Sequence, residues 1–292
     1  MKTVDTPLLR VAYSEWNPGA ERTVVLLHGW PDSPRCWAGV APPLAEAGWR
    51  VLAPALRGFL PTQFLRADTP RTGQLSALGR DALDFIDAMG LEQPVLVGHD
   101  WGARAAANAC GLRPGVASHL CMLSTGYGTN TPDQPLTMPQ TRNYWYHWYM
   151  ATPRGQRTVR EHGHAFARFM WDTWSPPDWY EPQEFEETAK AFHQPDWAEV
   201  TLHSYQHRWG NAPADPMYDK DEAALQPAPV LDVPTLVLHG AVDAVNHPDT
   251  SAGKERFFRG RYERQLLEGV GHFPPRENAA AVAEALLRFI GP

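Results

Sequence analysis

Two carboxylates, a histidine and two glycine-bounded turns carry the chemical signal in this chain. The first turn is Val97-Gly98-His99-Asp100-Trp101-Gly102. It follows a run that reads as a strand and precedes an alanine-rich run that reads as a helix. A strand turning directly into a helix leaves no room for side chains at 98 and 102, and it thrusts the central residue, Asp100, out of the turn as a nucleophile. The helix N-terminus behind it favours an anion there. The second turn, His28-Gly29-Trp30-Pro31, follows another apolar run. There the backbone N–H of Trp30 can point at the reacting centre, with the backbone N–H of Trp101 as the second donor of an oxyanion hole. Leu238-His239-Gly240-Ala241-Val242-Asp243 sets an acid after a strand, and Gly269-Val270-Gly271-His272-Phe273 sets a histidine in a glycine-flanked loop. The chain holds 12 histidines, and Asp249 and Glu268 are alternative acids. Asp243 and His272 are preferred because each lies just past a strand end.

An aspartate in the elbow restricts the reaction. A serine attacking a saturated carbon would leave an ether, which water cleaves with difficulty. A carboxylate leaves an ester, which a histidine-activated water can hydrolyse through the enzyme's own carbonyl. A carboxylate is also ionised at neutral pH and needs no base for its first attack. The pattern therefore favours displacement at carbon, by epoxide opening or dehalogenation, over ordinary ester or amide hydrolysis.

Residues so far apart need a scaffold that gathers them. Apolar runs read as strands at 23–27, 50–53, 94–97, 118–123, 234–238 and 262–267. Ser33 reads as the cap of one helix running from Pro34 to before Gly48. Further helices fall at 75–89, at 101–110 and at 278–290. Strands alternating with helices predict a mostly parallel α/β sheet. The stretch 129–227 breaks the rhythm. It has no strand-like run but holds 7 of the 12 tryptophans and 6 of the 9 tyrosines. It reads as a helical cap inserted between core segments 1–128 and 228–292. Most of its aromatics should pack the cap onto the core, and a few should face the cavity.

Composition excludes other classes. Lys plus Arg is 26 and Asp plus Glu is 33, a net charge of −7 with no basic run, which argues against nucleic acid as a partner. Cys36, Cys110 and Cys121 have neither metal nor redox spacing, so a reduced, cytoplasmic compartment is the expectation. No signal peptide is read in 1–10, and no apolar run approaches the roughly 18 residues that span a bilayer. No metal or organic cofactor is expected. A homodimer is compatible with the chain.

With these motifs the chain resembles the α/β-hydrolase superfamily, and more narrowly the epoxide hydrolases, in the aspartate-nucleophile branch they share with haloalkane and fluoroacetate dehalogenases. The order nucleophile, acid, histidine matches, as do H-G-x-P with aromatic Trp30 at x and G-H-D-W-G. The resemblance implies an eight-stranded, mostly parallel sheet with the cap between the sixth and seventh main strands. It implies an epoxide as substrate, its ring oxygen held by two cap tyrosines. Tyr205, in His203-Ser204-Tyr205-Gln206, matches one of them. Tyr146 is the best match for the other, with Tyr144 and Tyr149 as rivals. His28, His147, Trp148, Tyr149 and Phe273 are expected around the pocket. Arg104, one turn into the helix, reads either as a carboxylate ligand, as in fluoroacetate dehalogenases, or as a helix-surface residue, and the surface is favoured. One alternative is a haloacid or haloalkane dehalogenase using the same Asp-His-Asp set, its halide held by His147 and Trp148. A second is a non-catalytic small-ligand binder on the same fold.

Overall fold

The computed structural model describes residues 1–291. Nine strands form one sheet: β1 (Lys2–Asp5), β2 (Leu9–Trp16), β3 (Thr23–Leu27), β4 (Arg50–Pro54), β5 (Gln63–Phe64), β6 (Val95–His99), β7 (His119–Leu123), β8 (Thr235–Gly240) and β9 (Tyr262–Leu267). Their spatial order is β1-β2-β4-β3-β6-β7-β8-β9, with β5 pairing β2. From β4 through β9 every pairing along this path is parallel. A parallel sheet is covered on both faces, so its strands can be apolar throughout. On β3, Val25 and Leu27 join one core while Val24 and Leu26 join the other. Leu120 and Met122 against Cys121 and Leu123 repeat that alternation on β7.

The helices are α1 (Ala41–Glu46), α2 (Leu75–Ala88), α3 (Trp101–Leu112), α4 (Met138–Asn143), α5 (Trp145–Met150), α6 (Pro153–Trp174), α7 (Pro182–Ala189), α8 (Pro195–His207), α9 (Asp219–Leu225), α10 (Pro274–Glu277) and α11 (Ala279–Ile290). Between β7 and β8 the described chain forms helices and no strand. Of these, α9 packs on the core helices α2 and α3.

Two expectations need correction. The single helix from Pro34 to before Gly48 is two pieces. Ser33 caps only a short 3-10 turn, Pro34–Trp37, and α1 starts at Ala41. Pro42 and Pro43 are tolerated only in a helix's first turn, so they restart the helix instead of continuing it. The sheet also has nine strands, not eight. The two-residue β5 is the addition, and β1 and β2 lie N-terminal to every strand read from the sequence. On β2, buried Leu9, Val11 and Tyr13 alternate with the more exposed Arg10 and Ser14, which breaks the apolar run.

Candidate active site

All four chemical loops leave the C-terminal edge of parallel strands: 28–31 after β3, Asp100 after β6, Asp243 after β8 and His272 after β9. That edge is where open α/β sheets bind ligands. The elbow is sterically closed. A Cβ on Gly98 would lie 2.1 Å from the Gly102 oxygen, and one on Gly102 would lie 2.1 Å from the Leu27 oxygen. Asp100 sits at φ 49°. Such a backbone is strained for a non-glycine residue, by about 1–3 kcal/mol, and is a common feature of active sites. Gly29 allows the second loop to close in, since a Cβ there would lie 2.7 Å from that of Asp100.

The Trp30 N–H donates to Asp100 Oδ1 (2.9 Å). Trp101 opens α3 immediately after the carboxylate. His272 Nδ1–H donates to Asp243 Oδ2 (2.9 Å), and its Nε2 lies 3.9 Å from Asp100 Oδ2 without a hydrogen-bond partner in the protein. With Nδ1 bearing the proton, the Nε2 lone pair faces the nucleophile. Asp243 Oδ1 accepts the Val245 and Asn246 N–H groups (2.8 and 3.0 Å). Burial opposes ionisation of Asp243, but His272 and His239 outweigh it and hold the carboxyl well below its usual range. Burial likewise opposes the charged form of His272, but Asp243 outweighs it and raises the imidazole above its ordinary 6.5. A raised pKa keeps the ring protonated, and useless as a base, to a higher pH. The hydrolytic rate should therefore fall as pH drops through a midpoint above 6.5. A rate–pH profile checks this, and a midpoint at or below 6.5 would contradict it.

The Trp30 side chain, whose backbone N–H holds the carboxylate, sits in an aromatic cluster. Trp30 is stacked with Tyr146 (centroids 5.9 Å, 4° between planes) and meets Tyr205 edge-on (5.0 Å). The Tyr146 and Tyr205 rings are 5.3 Å apart. Burial raises both hydroxyls well above their ordinary pKa, so both stay protonated at working pH. Trp101 Nε1–H donates to Tyr205 Oη (3.1 Å). The rivals are engaged elsewhere. Tyr144 Oη–H donates to Asn246 Oδ1 (2.7 Å), in the acid loop. Tyr149 pairs with Thr158 Oγ1 (2.7 Å) and packs on Trp145 and Phe166.

Several expected pocket residues lie elsewhere. Tyr149 is engaged with Thr158, Trp145 and Phe166, and Trp148 spends its indole N–H on the Thr141 carbonyl (3.0 Å) while packing on Trp209. His28 is structural: Nε2 accepts the Leu56 N–H and Nδ1–H donates to the Gly29 carbonyl. Phe273 packs behind the base, stacked on Trp179 and in edge contact with His272. His147 does join the cluster, 4.6 Å from the Tyr205 ring. Its Nδ1 accepts the Trp209 indole N–H, leaving a buried Nε2–H with no partner in the protein.

The sequence reading missed several neighbours. Thr201 Oγ1 accepts the Trp30 indole N–H (2.9 Å) and fixes that ring from α8. Arg104 is buried, not on the helix surface. A second buried arginine, Arg208, holds its guanidinium 4.3 Å over the Tyr205 ring. Their hydrogen bonds go to Thr129, to Ser204 and, with its amide oxygen turned towards both, to Asn130. This leaves positive potential beside the tyrosines, which favours negative charge developing there. Only Arg104 gave a sequence signal, as the arginine one helical turn past the nucleophile.

Among the described residues no group of three or more His, Cys, Asp or Glu side chains could hold a metal. No helix there is long and apolar enough to cross a membrane.

An acid–histidine pair facing an elbow carboxylate is the equipment of a hydrolase. The chain belongs to the alpha/beta hydrolase fold family, whose model matches residues 22–279. It is similar to Epoxide hydrolase A of Mycobacterium tuberculosis, at 24% identity over 99% of this chain and 96% of that protein. It is also 24% identical to an epoxide hydrolase of Caballeronia sordidicola, over 93% of this chain and 88% of that one. A crystal structure of a candidate epoxide hydrolase from Klebsiella pneumoniae superposes with a TM-score of 0.93, at 36% identity, covering 98% of this chain and 96% of the other. The protein is a hydrolase of the epoxide hydrolase-like kind.

Proposed function

We propose that this enzyme hydrolyses an epoxide to a vicinal diol through an ester on Asp100, with 129–227 as its cap. Asp100 attacks one ring carbon, and Tyr146 and Tyr205 hydrogen-bond the ring oxygen, one of them giving it a proton as the C–O bond breaks. His272, held by Asp243, then removes a proton from water attacking the ester carbonyl. The backbone N–H groups of Trp30 and Trp101 stabilise the oxyanion. As it collapses, the leaving alkoxide takes the proton held by His272 and frees the diol, and the second proton of the water returns to the tyrosinate, regenerating the phenol and the Asp100 carboxylate. The 3.9 Å between His272 Nε2 and Asp100 Oδ2 suits a water held between base and ester. The carrying observation is that the Tyr146 and Tyr205 rings meet beside the Trp30 ring, 5.3 Å from each other, with burial holding both hydroxyls in the protonated form, because an alkoxide leaving group needs a proton and a halide does not.

One observation favours dehalogenation: the unpartnered Nε2–H of His147 is a donor suited to a halide. Against it, the indole N–H groups of Trp30, Trp101 and Trp148 already donate within the protein. The experiment measures diol formation from a panel of terminal and aryl epoxides beside halide release from haloalkanes and haloacids. Diol formation without halide release is expected. Halide release well above background with no diol formed would replace the epoxide reading with the dehalogenase.

A further inference from the structure

The base loop is tied to the helical insertion by contacts that the hydrolytic chemistry does not explain. The carboxylate of Glu277, five residues past His272, collects the backbone of that loop. Its Oε2 accepts the Gly271 N–H (2.6 Å) and its Oε1 accepts the Phe273 N–H (2.7 Å). Oε1 also accepts the hydroxyl of Ser175 (2.6 Å), and Ser175 Oγ in turn accepts the His272 N–H (2.9 Å). The three consecutive amides 271, 272 and 273 therefore end on one carboxylate, the middle one through a serine. Ser175 is not part of the loop. It caps the C-terminus of α6, 102 residues from Glu277 in the chain. The approach is so close that a Cβ on Gly271 would lie 2.4 Å from Ser175 Oγ.

Arg276 repeats the arrangement on the oxyanion side. Its guanidinium is bidentate to Asp32, two residues past Trp30 (2.9 and 2.7 Å), and also reaches Glu184 (3.0 Å) and Thr188 (2.9 Å) on α7. It is buried against the Trp171 ring of α6, 4.8 Å from its centroid. Residues 276 and 277 thus fasten the base loop, the oxyanion loop and two helices of the insertion at one joint.

We propose that Ser175 and Glu277 are positioning residues: they set the register of His272 against Asp243 and Asp100, so that the base is in place only while α6 is seated on the core. The His272 N–H is shared between Ser175 Oγ (2.9 Å) and the Trp174 carbonyl (3.3 Å), both at the end of α6, so the amide cannot shift without moving the imidazole it carries. Placement matters steeply, since a displacement of about 1 Å in a catalytic group can cost on the order of 100-fold in rate. This rests on reading His272 as the base.

The test uses the full chain with Ser175→Ala and Glu277→Gln. In Glu277→Gln the amide has one acceptor oxygen where the carboxylate has two. The first readout is the titration of His272 followed by NMR of ¹⁵N-histidine-labelled protein. The charged and titratable groups around that imidazole are Asp243, Asp100, Glu277 and His99. If the imidazole loosens from Asp243, its midpoint should fall towards the ordinary value of about 6.5. Ser175→Ala leaves every one of those charges in place, so a fall there reports position. The second readout is single-turnover kinetics, with ester hydrolysis expected to slow on the order of 10- to 100-fold while ester formation is retained. An unchanged His272 midpoint in Ser175→Ala overturns the proposal. So does equal slowing of both half-reactions in step with a fall in Tm, which marks a merely structural contact. If Glu277→Gln does not fold, Ser175→Ala decides alone. If the wild-type protein opens no epoxide, the functional reading falls, while the His272 titration still decides this proposal.

Discussion

His272→Gln should convert the enzyme into a trap that alkylates itself once and stops. In the proposed mechanism ester formation needs only the Asp100 carboxylate and a proton given to the ring oxygen by Tyr146 or Tyr205, so neither event needs the imidazole. Ester hydrolysis does need it, because His272 Nε2 is the basic atom that faces Asp100. Loss of a positioned general base typically costs 10²–10⁴-fold. Glutamine is close to histidine in size but offers no base. Incubation of the variant with a substrate epoxide should therefore give protein heavier by the mass of one epoxide, with the addition on the peptide carrying Asp100. Normal turnover in this variant would remove His272 from the mechanism, and an adduct on any other residue would remove Asp100.

The division between what the residues announced and what they concealed follows the range of the contacts. The interior strands were legible because a parallel sheet leaves runs such as Val24 to Leu27, apolar throughout and ended by glycine turns. The elbow was legible because its steric demand falls on two residues, Gly98 and Gly102, inside a six-residue string. β1 and β2 were not, because polar residues such as Lys2 and Asp5 on β1 and Arg10 and Ser14 on β2 break up the apolar run. Cap chemistry was harder still. Tyr144, Tyr146 and Tyr149 are equivalent by type, and only the third dimension sends one to Asn246, one to Thr158 and one onto Trp30. Ser175 and Thr201 carry no motif; their partners Glu277 and Trp30 lie 102 and 171 residues away in the chain.

The tyrosine pair gives the second large effect. Tyr146→Phe and Tyr205→Phe should each slow epoxide opening by about 5- to 150-fold, equivalent to about 1–3 kcal/mol of transition-state stabilisation. The two sites differ in what the loss exposes. Removing the Tyr205 hydroxyl also leaves the Trp101 indole N–H without its acceptor in a buried site, so Tyr205→Phe should be the more costly of the two. Tyr146 keeps its ring flat on Trp30 when it becomes phenylalanine, so its variant should lose rate with little loss of stability. The double variant should be nearly inactive. Of the buried donors that remain nearby, the freed Trp101 indole N–H is no acid, and His147 Nε2–H belongs to an imidazole whose pKa is pushed far down by burial and by Arg208 and Arg104, so it carries no readily transferable proton. The His147 N–H could still hold a halide, which needs a hydrogen bond and no proton. The deciding measurement is the initial rate of diol formation and of halide release for Tyr146→Phe, Tyr205→Phe, the double variant and His147→Ala. Halide release that survives Tyr146→Phe but is abolished by His147→Ala would sink the epoxide assignment. Diol formation that falls with each lost hydroxyl, and falls further when both are gone, would tie the leaving oxygen to the two phenols.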